Sequence, residues 1–388
     1  MKIIYVLNVT DYSGATKSLL SLLNTLKYKH DILIVCPDNN GVTKELIDTG
    51  YNVQILRYIF DIRPLGNTIL DRLLFLPRFF KRKLINKIAV YKLYKISKCF
   101  EADIIHTNSS VISVGFYAAR KNKIPHIMHV REYGDKDHGL HIYNIRKRLY
   151  DSNNYNIFIT KDIASYYKCE NSNNSIVIYN PIIDINKFKV NFPKENYFLY
   201  AGRIDRTKGI VDLITAYIKY CHQSKGKPYR LKIAGSYSRQ DQEQLKDVLV
   251  NKLSEGNCVE NVDWLGERHD IYRLMSKAKA VVVPSFFEGF GRVMPEGQMM
   301  GALVIGRNTG GTLEQFENGL KYTGKEIGIR FNTVDDLSES LEIVSAMSDN
   351  DMVKYITASQ LTINNYYSLK SSADQVLKFY DRVIKNYK

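Results

Sequence analysis

Two glutamates, Glu288 and Glu296, stand eight positions apart with Gly289, Phe290, Gly291, Arg292 and Val293 between them. The apolar run at 280–284 reads as a buried strand, and a helical pattern follows from Arg292. A glycine-rich turn from strand to helix leaves backbone N–H groups unpaired, and the first helical turn carries partial positive charge. The segment therefore suits an anion such as a diphosphate. Glu288 falls in the turn and Glu296 further along the helix, so both carboxylates can face one ligand and hold different parts of it. The bare spacing also fits a tight turn followed by an exposed helical glutamate. The strand before it and the glycines within it favour the ligand reading.

A second cluster, Gly202-Arg203-Ile204-Asp205-Arg206-Thr207-Lys208-Gly209, follows the apolar run at 197–201. A bidentate guanidinium and a compact ammonium can together neutralise a departing diphosphate without a divalent metal. Arg206 is a third cation with no assigned part. Near the N-terminus, Gly14 follows Asp11-Tyr12-Ser13 in the first loop, where its backbone can approach a phosphate. The loop lacks G-x-G-x-x-G, which argues against a dinucleotide cofactor. His129 lies in the run His126–Val130, with Arg131 and Glu132 just after it.

These residues need strand ends to hold them. Short apolar runs at 2–9, 31–37, 52–57, 103–108, 126–130 and 156–160 alternate with amphipathic stretches, which implies a parallel sheet with helices on both faces. The rhythm breaks near Asn180-Pro181 and Pro193, then restarts with runs at 197–201, 230–234, 262–265, 280–284 and 303–306. A length of 388 residues suits two such domains. The expected architecture is α/β, with Rossmann-like domains at 1–188 and 189–370 and a last helix, 371–388, packing back across both. Ligands belong at the carboxyl ends of the strands, facing a central cleft.

The intact pattern E-x-F-G-x-x-x-x-E, from Glu288 through Glu296, resembles the glycosyltransferase 4-like family of retaining enzymes with the two-domain GT-B fold. Gly301, Val304-Ile305 and Gly310-Gly311 match as well. The resemblance implies that Glu288 contacts the donor sugar, that Glu296 binds the nucleotide ribose, and that Arg203 and Lys208 hold the pyrophosphate. It makes His129 the active-site histidine that reaches the sugar. His106 and His126 then read as structural. The family usually has two glycines in the first loop; Ser13 replaces one here, which predicts a stiffer loop at Gly14. The implied donor-binding set is Gly14, Arg203, Lys208, Glu288, Gly289, Phe290, Gly291, Arg292, Val293 and Glu296. Arg131, Glu132 and the loop through His138-Gly139 are acceptor-side candidates. Asn180-Pro181 resembles the interdomain hinge. Asp135-Lys136-Asp137 and Asp349-Asn350-Asp351 look like the metal-binding D-x-D of the other glycosyltransferase fold, but read as solvated loop or helix-start acids. No metal or cofactor is expected.

A net charge of +15 attracts anions. No zinc finger, RNP motif or helix-turn-helix is present, so nucleic acid is not an expected partner. Five scattered cysteines with no C-x-x-C argue for a reducing compartment. No apolar run is long enough to span a bilayer, and the first residues read as a strand rather than a signal peptide. The stretch 69–100 carries Arg72, Arg78, Lys81, Arg82, Lys83, Lys87, Lys92, Lys95 and Lys98 against Asp71 alone. Either it is a solvated helix face or it meets an anionic membrane, with Lys81, Arg82, Lys83 and Lys87 as contacts and Leu73, Leu74, Phe75, Leu76, Phe79 and Phe80 upstream dipping in. The protein is expected in the cytoplasm or on the inner face of its membrane.

The reaction implied is hexosyl transfer from a nucleotide diphosphate sugar, UDP before GDP, to a glycan or lipid-linked saccharide in bacterial surface polysaccharide, capsule or lipopolysaccharide synthesis. A nucleotide-sugar epimerase, a non-catalytic sugar-nucleotide-binding subunit and, by fold class alone, a nicotinamide dehydrogenase are the alternatives.

Overall fold

The computed structural model describes residues 1–8, 10–11, 14–64, 75–182, 190–237 and 242–387. Tyr12 and Ser13 of the first loop, Asp71, Arg72, Leu73 and Leu74 before the basic helix, and the His138 side chain lie outside the described residues. The chain divides into two compact units, one formed by Met1–Pro181 with Leu369–Lys388 and the other by Ile182–Ser368.

The first unit holds β1 (Lys2–Val6), β2 (Asp31–Cys36), β3 (Asn52–Ile55), β4 (Ile62–Pro64), β5 (Ile104–Thr107), β6 (His126–Val130), β7 (Leu140–Ile142), β8 (Asn154–Phe158) and β9 (Ser175–Val177). Seven of them form a parallel sheet in the order β3-β2-β1-β5-β6-β8-β9, while β4 and β7 pair antiparallel. The central strands are buried from end to end because helices cover both faces. On one face Leu19, Leu22, Leu23 and Leu26 join Val376, Phe379, Tyr380 and Val383 of the last helix, Leu369–Tyr387. On the other, Ala89 and Leu93 pack with Val114, Ala118 and Ala119. The last helix was expected to pack back across both domains. Its residues belong to the core of the first unit, and its serine Ser372 donates to the Tyr179 carbonyl at 3.0 Å.

The second unit holds β10 (Glu195–Ala201), β11 (Arg230–Ala234), β12 (Val262–Gly266), β13 (Ala278–Val283), β14 (Leu303–Arg307) and β15 (Ile329–Phe331), in the order β12-β11-β10-β13-β14-β15. Its core joins Ile210, Leu213, Ile214 and Tyr217 to Leu337, Leu341 and Val344. Its two ends meet: Ile182 N–H donates to the Tyr367 carbonyl at 2.9 Å, and Ile182 bridges Ser368. The division thus falls after Pro181, earlier than the break at 188/189 expected from the strand rhythm.

The basic stretch forms the helix Phe75–Cys99. One expectation there is corrected. Arg82 is buried, not at the surface: its guanidinium lies 3.7 Å from the Asp61 carboxylate, donates to the Ile62 carbonyl at 3.2 Å and stacks on Tyr143. It is a tie between helix and strand. The five cysteines are free. Among the described residues no helix is long and apolar enough to cross a membrane.

Candidate functional site

In the second unit β10 and β13 are neighbours, so the loops after their carboxyl ends meet. Phe286 N–H donates to the Thr207 carbonyl at 3.1 Å. Gly209, at φ +70°, lies so close that a Cβ there would come within 2.0 Å of the Pro284 carbonyl oxygen. This seam sets Lys208 Nζ 2.8 Å from Glu288 Oε1, both side chains largely shielded from solvent. Asp205 organises the cationic loop, accepting from Arg203 Nε at 2.5 Å, Thr207 Oγ1 at 2.5 Å and the Lys208 N–H at 3.0 Å. Burial pushes its carboxyl up, but the bonds from Thr207 and Arg203 outweigh this and hold it below the usual range. Sequence reading passed over Asp205, although an acid between two cations was a visible signal.

The turn Glu288–Gly291 rests on the start of helix Gly310–Thr323. Gly311 N–H donates to the Glu288 carbonyl at 2.9 Å, and a Cβ on Gly311 would lie 2.8 Å from both Gly289 O and Phe290 Cα. From the same helix the Gln315 amide donates to the carbonyls of Phe290 and Gly291. Gln315 was missed because it reads as an ordinary helical polar residue. The short helix Val293–Met299 follows, with Arg292 as its N-cap and a 2.9 Å ion pair between Arg292 and Glu296. Phe290, expected among the ligand contacts, has its ring buried edge-on against Tyr367. It supports the turn from behind. The remaining predicted residues of this unit, Arg203, Lys208, Glu288, Gly289, Gly291, Arg292, Val293 and Glu296, all lie on the two adjoining loops or the helix that follows.

What can this arrangement do? Both glutamates are charge-matched without a ligand, Glu288 by Lys208 and Glu296 by Arg292. A diphosphate placed there would add negative charge beside Lys208, which would then serve two anions at once. Arg203 keeps about half its side chain in solvent while its Nε holds Asp205, so its solvent-facing side could meet such a group without giving up that bond.

In the first unit, Gly14 begins the helix Gly14–Leu26. His129 is buried at the end of β6, and Arg131 Nη2 lies 3.3 Å from its Nδ1. A guanidinium only donates, so Nδ1 accepts and Nε2 carries the proton. Nε2 has no internal partner among the described residues, which leaves a buried donor suited to a ligand oxygen. Burial first, then Arg131 and His106, drive the imidazole well below its ordinary value, so it is neutral. Arg131 and Glu132, the acceptor-side candidates, are themselves buried and internally engaged. Arg131 also donates to Asn180 at 2.6 Å and to Asn108 at 2.9 Å, and Glu132 accepts from the Ser110 N–H at 2.9 Å. They support the His129 strand end. A cavity of about 540 Å³ in this unit is lined by Tyr133 and Asp135 of the loop named from sequence, together with His141, Asn144, Arg146, Lys147 and Tyr166 beyond it. The two D-x-D look-alikes are engaged locally: Asp137 accepts from the Gly134 N–H at 2.9 Å, and Asp351 accepts from the Ser348 hydroxyl at 2.7 Å while its own N–H donates to that N-cap oxygen at 3.2 Å. Among the described residues no three His, Cys, Asp or Glu side chains gather around a metal position.

Residues 182–361 match the family described as glycosyl transferases group 1. That span carries both loops of the site and Glu296. An α-1,3-N-acetylgalactosaminyltransferase of Campylobacter jejuni, named for N,N'-diacetylbacillosaminyl-diphospho-undecaprenol, is 29% identical over 125 residues, 32% of this chain and 32% of that protein. The chain thus spans about a third of the length of the curated relatives it matches. Two solved structures share the fold over nearly every residue. HepE of Anabaena, in complex with UDP, has a TM-score of 0.77 at 18% identity, covering 98% of this chain and 100% of that one. A Rickettsia africae glycosyltransferase has a TM-score of 0.78 at 18% identity, covering 99% of each chain. The fold is GT-B, two Rossmann-like domains.

The buried imidazoles of the first unit give it a pH signature. His106, His126 and His129 are buried, and burial is the largest cause holding each below the ordinary 6.5, with His126 at about 3. Their folded values are depressed, so the unfolded chain binds more protons below about pH 6.5. Stability is therefore complete above that value and falls as pH drops, each such histidine costing up to about 1.4 kcal/mol per pH unit. Urea unfolding of the first unit is expected to shift to lower midpoint between about pH 7 and about pH 5, where carboxylates barely titrate. An unchanged midpoint over that window would show that the rings are protonated or solvated in the native state.

Proposed function

We propose that the protein moves a glycosyl unit from a nucleotide diphosphate sugar, UDP-linked first and GDP-linked next, to a hydroxyl of a glycan or lipid-linked saccharide, with retention and without a metal. The observation that carries this reading is the seam between the loops after β10 and β13, where Lys208 and Glu288 pair within the span that matches group 1 glycosyl transferases. UDP in the Anabaena structure supports a uridine nucleotide. The diphospho-undecaprenol in the name of the Campylobacter relative supports a lipid-linked acceptor at the cytoplasmic membrane.

In this reading the bond from the anomeric carbon to the β-phosphate oxygen breaks, and the acceptor oxygen bonds that carbon from the same face. The acceptor proton passes to the departing phosphate oxygen. Arg203 and Lys208 take up the negative charge of the diphosphate. Glu288 orients the sugar, Glu296 holds the ribose hydroxyls, and Gly14 and His129 keep the roles their resemblance assigns. A thermal-shift panel of UDP, GDP and ADP sugars tests the donor. NMR of the chosen donor, alone and with saccharide acceptors in EDTA, tests the chemistry. Transfer with a retained anomeric signal is expected. Donor turnover without acceptor would make the protein an epimerase, and no nucleotide raising the melting temperature would end the donor assignment.

A further inference from the structure

Helix Phe75–Cys99 contains no acidic residue, and it is apolar on two sides. Its inner side packs Ala89 and Leu93 into the core and fixes Asn86 to the Ile59 backbone through bonds of 2.9 Å and 2.8 Å. Its outer side shows Leu76, Phe80, Leu84, Ile88 and Tyr91, each at least half exposed, with Phe80 at 66%. Spacings of four, four, four and three residues align them in one stripe. Lys83, Lys87 and Lys95 fall along it and Lys81 and Lys92 border it; the Lys95 ammonium lies 4.8 Å from the Tyr91 ring centre. Twenty-five residues of helix make a ridge about 37 Å long.

An apolar stripe of this length, left exposed among the described residues, needs an occupant. Its chemistry selects one. Protein interface cores are depleted of lysine, and a nucleic acid offers nothing to a row of Leu, Phe and Ile. An anionic bilayer satisfies both parts: the apolar side chains reach the acyl boundary while lysines snorkel to the phosphates. We infer that this helix is a membrane-docking ridge that lies flat on an anionic lipid surface, held by the Leu76–Tyr91 stripe and its lysines. With Arg82 turned inward, the contact set is Phe80, Leu84 and Ile88 with Lys83 and Lys87. This inference stands apart from the proposed sugar transfer, because binding to lipid is read without any substrate.

Sedimentation of the whole protein with phosphatidylcholine vesicles, with and without phosphatidylglycerol, tests it. Binding is expected only where phosphatidylglycerol is present, and it should weaken at high salt. Lys83→Glu with Lys87→Glu should lower partitioning on the order of tenfold or more. Phe80→Ser, Leu84→Ser and Ile88→Ser together should do the same while the melting temperature and nucleotide-sugar binding hold, since these side chains leave the core untouched. Lys225→Glu with Lys227→Glu, elsewhere on the surface, should bind as wild type. Equal binding to both vesicle types, no binding at low salt, or either ridge variant binding as wild type would overturn the inference. Capture of an acidic protein by the ridge, with vesicles ignored, would reassign the surface.

Discussion

Lys208→Ala should lower glycosyl transfer about 10²- to 10³-fold, the loss typical when one preorganised donor to developing negative charge is removed. Two effects combine. In the proposed transfer the departing diphosphate loses the ammonium nearest Glu288, and Glu288, 2.8 Å from Lys208 in the resting protein, is left as an unmatched carboxylate beside an incoming anion. Most of the loss should appear in kcat, because charge on the leaving group is greatest as the bond breaks. Glu288→Gln keeps the shape and removes the charge; it should cost less for nucleotide binding than for transfer. The two changes share one ion pair, so the double variant should fall well short of the product of the singles. Steady-state kinetics on all three variants decide the matter, with thermal melts to confirm folding. Turnover of Lys208→Ala within twofold of wild type would take the leaving group away from this loop.

Gly209→Ala should be nearly as damaging for a different reason. Its backbone lies at φ +70°, and an added Cβ would meet the Pro284 carbonyl at 2.0 Å and its carbon at 2.6 Å. Both obstacles are main chain, so no rotamer change relieves them. The left-handed conformation costs about 1–2 kcal/mol for a residue with a Cβ, and forced separation of packed segments about 1–3 kcal/mol more. A fall in melting temperature of roughly 5–15 °C is expected for a domain of this size. Activity should fall beyond what stability explains, since the same contact holds Lys208 against Glu288. Gly226→Ala serves as the control, because a Cβ there meets nothing within 4 Å. If Gly209→Ala melted with the control and retained its kinetics, the seam would not be what aligns the two loops.

How far the amino-acid order discloses this protein varies with the feature. β6 and β11 match the apolar runs residue for residue, and the other long strands differ from theirs by a residue or a few at either end. Buried parallel strands leave unbroken apolar runs, which is a strong local signal. β4, β7, β9 and β15 escaped notice because three residues are too few to show a period. Glu288 and Lys208 were each legible, but their pairing was not, since it depends on β10 lying beside β13 across 80 residues of chain. Arg82 was misjudged because a cation among lysines looks like surface, and Asp61, its partner, lies 21 residues upstream. Arg131 shows the same limit from the other side. Its burial follows from the amides of Asn108 and Asn180, both distant in sequence.

The last helix carries a consequence for synthesis. The second unit is one uninterrupted segment whose ends meet at Ile182 and Ser368, so all of it is synthesised before the helix Leu369–Tyr387. The first unit begins earlier and finishes later. Its sheet waits with Ile3, Tyr5 and Ile34 covered only in part, by Leu19, Leu22, Leu23 and Leu26, until Val376, Phe379 and Tyr380 arrive. The polypeptide made first is therefore the part whose core closes last, and for that interval a half-covered apolar sheet face is what a chaperone would meet.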